Sequence, residues 1–196
     1  MLDLGDTAPD FELTDEEGEV VTLDDLLSEG QLVLYFYPAD FTSVCTAQAC
    51  EIRDRHDDLR AVSANVVGVS PQAQSSHNRF RDRYDLPFLL LDDRQKKVIR
   101  AYGVNGPLGL GVRRVTFLIN SDKKITNRVV ADFRVKQHMG LIASVVEIWA
   151  VTNSRAHYGR LPDVSMPLTP DRSPASMMGA IESYDHENVV TSTAFL

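Results

Sequence analysis

The stretch Leu32-Val33-Leu34-Tyr35-Phe36-Tyr37-Pro38-Ala39-Asp40-Phe41-Thr42-Ser43-Val44-Cys45-Thr46-Ala47-Gln48-Ala49-Cys50-Glu51 decides the fold. It opens as an apolar, β-branched and aromatic run, the pattern of a buried strand. Pro38 has no N–H to give to a sheet ladder and disfavours helical geometry at Tyr37, so the strand ends there. From Thr42 the residues favour helix, with Thr42 as N-cap or first-turn residue. Cys45 is thereby placed in the first turn of a helix that leaves the end of a central strand. Unpaired N–H groups and the positive end of the helix dipole favour a thiolate at that position. Cys45 is a candidate nucleophile on these grounds alone.

Cys50 follows five residues later. On a regular helix this spacing means roughly 140° of azimuth and about 7.5 Å of rise, with α-carbons about 8–9 Å apart. A disulfide reaches only about 7 Å, so the two sulfurs cannot bond while the helix is intact. Local unwinding would bring them together. Such a layout suits a two-step redox device, in which one sulfur reacts and the other then resolves it. The bland reading is a pair of inert cysteines packed as small hydrophobes.

The whole chain sets the bounds. At 196 residues, 43% hydrophobic and 24% charged, it suits one domain with a sizeable core plus an extension. A formal charge of -8 argues against nucleic acid or an anionic membrane surface as the main partner. Two cysteines close together do not make a secreted disulfide framework. No basic, apolar leader opens the sequence and no run is long enough to span a bilayer, so a cytoplasmic setting is the expectation.

In chain order, the runs Gly5–Leu13 and Val20–Leu23 flank an acidic, Gly-containing turn and read as an N-terminal β-hairpin. A helical turn at 24–30, closed by Gly30, precedes the central strand. The nucleophile helix is expected to continue through Ile52, His56 and Leu59. A second buried strand is expected at Asn65–Ser70, a helix at 73–84, a short strand at Leu86–Leu91, and a helix capped by Asp92-Asp93. Residues 113–119 and 125–130 read as a hairpin. A final amphipathic helix over 137–152 carries Leu141, Val145, Ile148, Trp149 and Thr152 near helical spacing. Strands alternating with helices make an α/β sandwich. The expected boundaries are a domain at 1–155 and, from 156, an irregular C-terminal extension broken by Pro162, Pro167, Pro170 and Pro174.

The segment Tyr35-Phe36-Tyr37-Pro38 through Cys45-Thr46-Ala47-Gln48-Ala49-Cys50 resembles the active site of a peroxiredoxin of the AhpC/TSA family. It is most similar to the branch called PrxQ or bacterioferritin comigratory protein. Supporting segments run from Gly5 to about Trp149. That branch usually has Pro-Gly where this chain has Ser43-Val44, a departure that bears on loop shape and peroxide preference. The resemblance implies a thioredoxin-like fold with a central mixed sheet flanked by helices. It implies a thiol-dependent peroxidase acting on hydrogen peroxide and organic hydroperoxides. Cys45 would become a sulfenic acid, Cys50 would close an intramolecular disulfide, and thioredoxin or a similar dithiol would reduce it. No metal, flavin or haem is required.

The chemistry also needs help for a soft nucleophile and for charge on the leaving oxygen. The Thr42 hydroxyl can donate to a thiolate and accept from a hydroperoxide. Pro38 is expected to shield the sulfur and set the loop. A cation is expected beside the sulfur, but periodicity does not choose among the arginines. The resemblance carries over Arg114, from Arg114-Val115-Thr116-Phe117-Leu118-Ile119; Arg113 is the neighbouring fallback, since alternate strand residues face opposite ways.

Other features have plainer readings. The glycines of 106–111 lack the context of a phosphate cradle and read as a flexible loop. The five histidines lack ligand spacing and are expected on surfaces or helix ends. Two competing functions are a general thiol–disulfide oxidoreductase, disfavoured by the C-x-x-x-x-C spacing, and a binding or chaperone-like module using the Met-containing tail. Monomer and homodimer are both open.

Overall fold

A computed structural model of the chain describes residues 1–157. Its first elements are β1 (Glu12–Thr14), β2 (Val20–Thr22) and α1 (Leu23–Leu27). The two strands pair antiparallel with Leu13 opposite Val21. Asp15 makes the turn between them by accepting from the N–H groups of Glu17 (2.8 Å) and Glu19 (2.9 Å). A reciprocal capping box between Thr22 and Asp25 starts α1.

There follow β3 (Gln31–Phe36), α2 (Ser43–Arg53), α3 (His56–Ala61), β4 (Ala64–Ser70), α4 (Gln74–Tyr84), β5 (Leu89–Asp92) and α5 (Lys97–Ala101). A hairpin of β6 (Val115–Ile119) and β7 (Ile125–Val130) leads into α6 (Val135–His157). The sheet order is β2-β1-β5-β4-β3-β6-β7. β3, β4 and β5 run parallel, while β6 lies antiparallel on the other side of β3. This is the mixed, helix-flanked sheet of the thioredoxin-like fold.

The run at 32–37 is continuously apolar because both of its faces are covered. Leu32, Leu34 and Phe36 point into one core with Leu23 and Leu27 of α1 and Ile99 of α5. Val33, Tyr35 and Tyr37 point into the other, with Ile52 of α2, Leu59 of α3, Phe80 of α4 and Ile142 of α6. Each fully buried Leu or Phe contributes about 1.5–3 kcal/mol, so Leu34→Ala in the middle of β3 should cost about 2–5 kcal/mol. Tyr35 faces Gly68 on the neighbouring strand, and a β-carbon there would lie 2.6 Å from the Tyr35 hydroxyl. A glycine at that position lets the phenol lie across β4.

Several expectations change. The nucleophile helix does not run on through His56 and Leu59: the Arg55 N–H bonds to the Ile52 carbonyl (3.1 Å), which tightens the last turn, and α3 starts afresh. The fifth strand starts at Leu89 and the sixth at Val115, later than the apolar runs suggested. The loop expected at 106–111 contains a hydrogen-bonded turn, with Gly109 N–H on the Gly106 carbonyl (3.0 Å) and Leu110 N–H on that of Pro107 (3.0 Å). In α6, Leu141 and Val145 are buried but Ile148 is exposed. The backbone of α6 continues to His157, past the boundary expected at 155. The side chains of Trp149 and Thr152 and the extension over 158–196 lie outside the described residues. Among the described residues no helix is long and apolar enough to cross a membrane.

Candidate active site

Sheet register brings the site together. The antiparallel pairing sets Val115 opposite Phe36, so Arg114 arrives at the end of the sheet where β3 hands the chain to α2. Cys45 lies in the first turn of α2 and is 2% exposed; Arg114 is 3% exposed. Arg114 Nη2 donates to Cys45 Sγ at 3.1 Å, a charge-assisted contact that is strongest when the sulfur is a thiolate. Arg114 Nε donates to the Asp132 carbonyl (3.1 Å), Nη1 donates to Gln48 Oε1, and the backbone N–H donates to Asp132 Oδ1 (2.9 Å). The guanidinium is thus fixed on three sides before any substrate arrives.

Arg113 points the other way. It is half-buried and pairs with Asp132 Oδ2 at 3.2 Å, so of the two arginines only Arg114 meets the sulfur. Thr42 occupies the N-cap position of α2 but makes no capping hydrogen bond. Its Oγ1 donates instead to the Ala39 carbonyl at 3.2 Å. Pro38, Thr42, Val44 and Arg114 line a cleft of about 550 Å³. The outer wall of that cleft is apolar and solvent-facing: Leu110 is 72% exposed and Phe133 is 86% exposed, and Leu108, in the same turn as Leu110, is 98% exposed. Gly106 makes this turn possible, because a β-carbon there would sit 1.9 Å from the Leu110 carbonyl oxygen.

Cys50 is half-buried on the same helix, and both thiols are free. The helix between them is intact, so helical geometry keeps their α-carbons about 8–9 Å apart. The Tyr35 phenol is held well above its ordinary range, first by burial and then by the neighbouring Cys45 and Asp40.

Sequence reasoning missed Gln48, Asp132, His138 and a cluster around His77. Gln48 had a signal: three residues after Cys45 on a helix, it shares that face. Asp132 had none, since its role depends on how β6 and β7 pair. His77 and His138 lie near the starts of α4 and α6, within the expectation of surfaces or helix ends, but both are fully buried. Each belongs to an apolar stripe at helical spacing, His77 with Phe80 and Tyr84, and His138 with Leu141, Ile142 and Val145. His138 Nε2 donates to the Ala131 carbonyl (2.9 Å), which leaves Nδ1 to accept from the Thr116 hydroxyl (2.7 Å). Burial pushes the imidazole's pKa down; the Ala131 hydrogen bond opposes this, and the positive charge of Arg114 adds to it. Among the described residues, no three His, Cys, Asp or Glu are grouped to hold a metal ion.

The chain is similar to known proteins over most of its length. The model of the AhpC/TSA family matches residues 4–128. Peroxiredoxin Bcp of Bacillus subtilis is 38% identical over 147 residues, covering 70% of this chain and 90% of its own. The crystal structure of peroxidoxin BcpB from Mycobacterium tuberculosis superposes with a TM-score of 0.71 at 34% identity, over 76% of this chain and 98% of that one. A structure of the bacterioferritin comigratory protein of Xanthomonas campestris, described for its alkyl peroxide reduction activity, gives a TM-score of 0.67 at 25% identity, over 76% and 97%.

Proposed function

The chain belongs to the AhpC/TSA family and is a thiol-dependent peroxidase of the Bcp/PrxQ type, and on that premise we propose how its own residues carry the reaction. Cys45 Sγ attacks the terminal oxygen of a hydroperoxide. The O–O bond breaks, the leaving oxygen departs as an alcohol or water once it takes a proton, and the sulfur becomes a sulfenic acid. The observation that carries this assignment is the 3.1 Å contact between Arg114 Nη2 and Cys45 Sγ in a site almost closed to water. A donor already aimed there stabilises negative charge as it develops on the reacting oxygens. The Thr42 hydroxyl, at the helix start, turns from the Ala39 carbonyl to the hydroperoxide, and Pro38 keeps bulk water from the sulfur.

The first turns of α2 then unwind. Cys50 attacks the oxidised sulfur, forming the Cys45–Cys50 disulfide and releasing water. An external dithiol of the thioredoxin kind reduces it. The apolar wall of Leu110 and Phe133, with Leu108 beside it, supports organic hydroperoxides as substrates alongside hydrogen peroxide, as does the alkyl peroxide activity described for the Xanthomonas protein. The test is mutational. Cys45→Ser is expected to abolish peroxide consumption; Cys50→Ser is expected to oxidise once and then stall with thioredoxin as reductant. Full turnover by Cys45→Ser would overturn the assignment.

A further inference from the structure

Tyr37, Asp40, Ser70 and His77 form a sealed polar cluster beneath the loop between β3 and α2. His77 Nδ1 lies 3.0 Å from Asp40 Oδ2, the Tyr37 hydroxyl donates to Asp40 Oδ1 at 2.8 Å, and Ser70 Oγ lies 3.4 Å from His77 Nε2. Because a carboxylate only accepts, Nδ1 carries a proton. Serine, histidine and aspartate at these spacings resemble a hydrolytic relay, but no substrate can reach them. The side chains of His77 and Asp40 are fully buried, and Ser70 Oγ already accepts the Gln72 N–H at 3.1 Å. A polar cluster whose members are mutually satisfied serves to fix positions. Burial pushes the Asp40 carboxyl up, yet its bonds to His77, Ser76 and Tyr37 more than offset this and hold it below the ordinary range.

What the cluster fixes is the chain immediately before Thr42. The Tyr37 N–H bonds to the Val69 carbonyl at 3.1 Å. Phe41 adopts a left-handed φ of 60°, and its ring packs on Phe80 and Tyr84 of α4, with centroids 5.2 and 6.3 Å away. A bulky residue keeps that conformation only where its surroundings enforce it. Downstream, Arg53 Nη1 donates to the Tyr84 carbonyl at 2.8 Å, and Ile52 is fully buried. The segment of α2 carrying both cysteines is therefore clamped to α4 at each end. Between the clamps, Cys45 and Gln48 are held to the sheet by Arg114, and oxidation of Cys45 changes the first of those contacts.

We propose that the buried Asp40–His77 pair is the upstream anchor of the redox transition. Asp40 and His77 are positioning residues: they hold the loop to α4 while residues 42–50 unwind, and so set how sulfenic Cys45 divides between two fates. This rests on the reading of Cys45 and Cys50 as a redox pair. In one fate the Cys50 thiol displaces the sulfenic hydroxyl, giving the disulfide and water. In the other, the sulfenate attacks a second hydroperoxide, giving a sulfinic acid and an alcohol. A firm anchor favours the intact helix and its open cleft, so the second fate competes; a loosened one favours the disulfide.

Asp40→Asn tests this by quenched-flow mass spectrometry of Cys45 in the full chain. The peroxide step is expected to slow about tenfold as Pro38 and Thr42 lose their fixed places. Sulfinic acid formed per turnover is expected to fall by at least about threefold as the unwound population grows. His77→Asn, which returns an amide donor near the Nδ1 position, should recover most of both effects, whereas His77→Leu should not. Tyr37→Phe removes a single hydroxyl and should shift both readouts less in the same direction, so it decides the matter if Asp40→Asn fails to fold. Variants that melt earlier but divide sulfenic Cys45 as the parent does, or Asn and Leu at position 77 behaving alike, would overturn the anchor. If the parent itself forms no Cys45–Cys50 disulfide, the underlying cysteine reading falls and the anchor with it.

Discussion

Replacing Arg114 by lysine keeps the positive charge and removes the fork. The guanidinium serves Cys45 Sγ, Gln48 Oε1 and the Asp132 carbonyl together from one planar group. An ammonium on a flexible stem cannot hold all three directions at once. Loss of one preorganised donor from a water-excluded site costs about 2.7–4 kcal/mol of transition-state stabilisation, or roughly 10²–10³ in rate. Leaving the Gln48 oxygen buried without a donor costs about 1–3 kcal/mol of stability, equivalent to a fall of a few to about 10 °C in melting temperature for a chain of this size. Stopped-flow oxidation with limiting hydroperoxide measures the first quantity, and thermal unfolding the second. Arg114→Lys is expected to slow the peroxide step by at least about 10²-fold, while Arg113→Lys stays within about threefold of the parent. An Arg114→Lys protein that reacts within about threefold of the parent would refute the role given to the fork.

Two further expectations follow from the cleft and from the buried imidazole. Polar replacement at the exposed rim, Leu110→Ser with Phe133→Ser, should lower kcat/KM for cumene hydroperoxide by about fivefold or more and leave hydrogen peroxide within about twofold, since only the larger substrate reaches the wall; equal losses for both would remove the rim from substrate recognition. His138 has its folded-state pKa below the ordinary 6.5, so on acidification the unfolded chain takes the proton first. The neutral imidazole's full contribution is therefore present above about pH 6.5 and is lost as pH falls from there toward the folded value. His56, also lowered by burial, acts in the same direction. Chemical denaturation between about pH 8 and about pH 5 should show this decline in the parent and a flatter slope in His138→Gln; identical slopes would assign the decline elsewhere.

How much of this was legible in the sequence depends on whether the signal was local. The strand, Pro38 stop and helix around Cys45 were legible because each is fixed by its neighbours: an apolar run, a missing donor, a first-turn thiol. The hairpins and the alternation of strand with helix were legible for the same reason. Arg114 was not chosen by periodicity, and only the resemblance singled it out. The physical reason it meets Cys45 is the register that sets Val115 opposite Phe36, and register is a pairing between distant segments. Asp132 was invisible because its partners, Arg113 and Arg114, lie across a hairpin. The burial of His77 and His138 was not legible, because nothing local marks a helix-end histidine as having partners on distant segments. His77 and His138 occupy core-facing slots of their helices, and partners on other strands and loops satisfy them there.

The most direct measurement is peptide mapping of the chain after a single equivalent of hydroperoxide. The account predicts one intramolecular bond between Cys45 and Cys50, and, in Cys50→Ser, a sulfenic acid confined to Cys45 that a dimedone-type probe traps. Two free thiols after peroxide has been consumed, or oxidation that begins at Cys50, would contradict it.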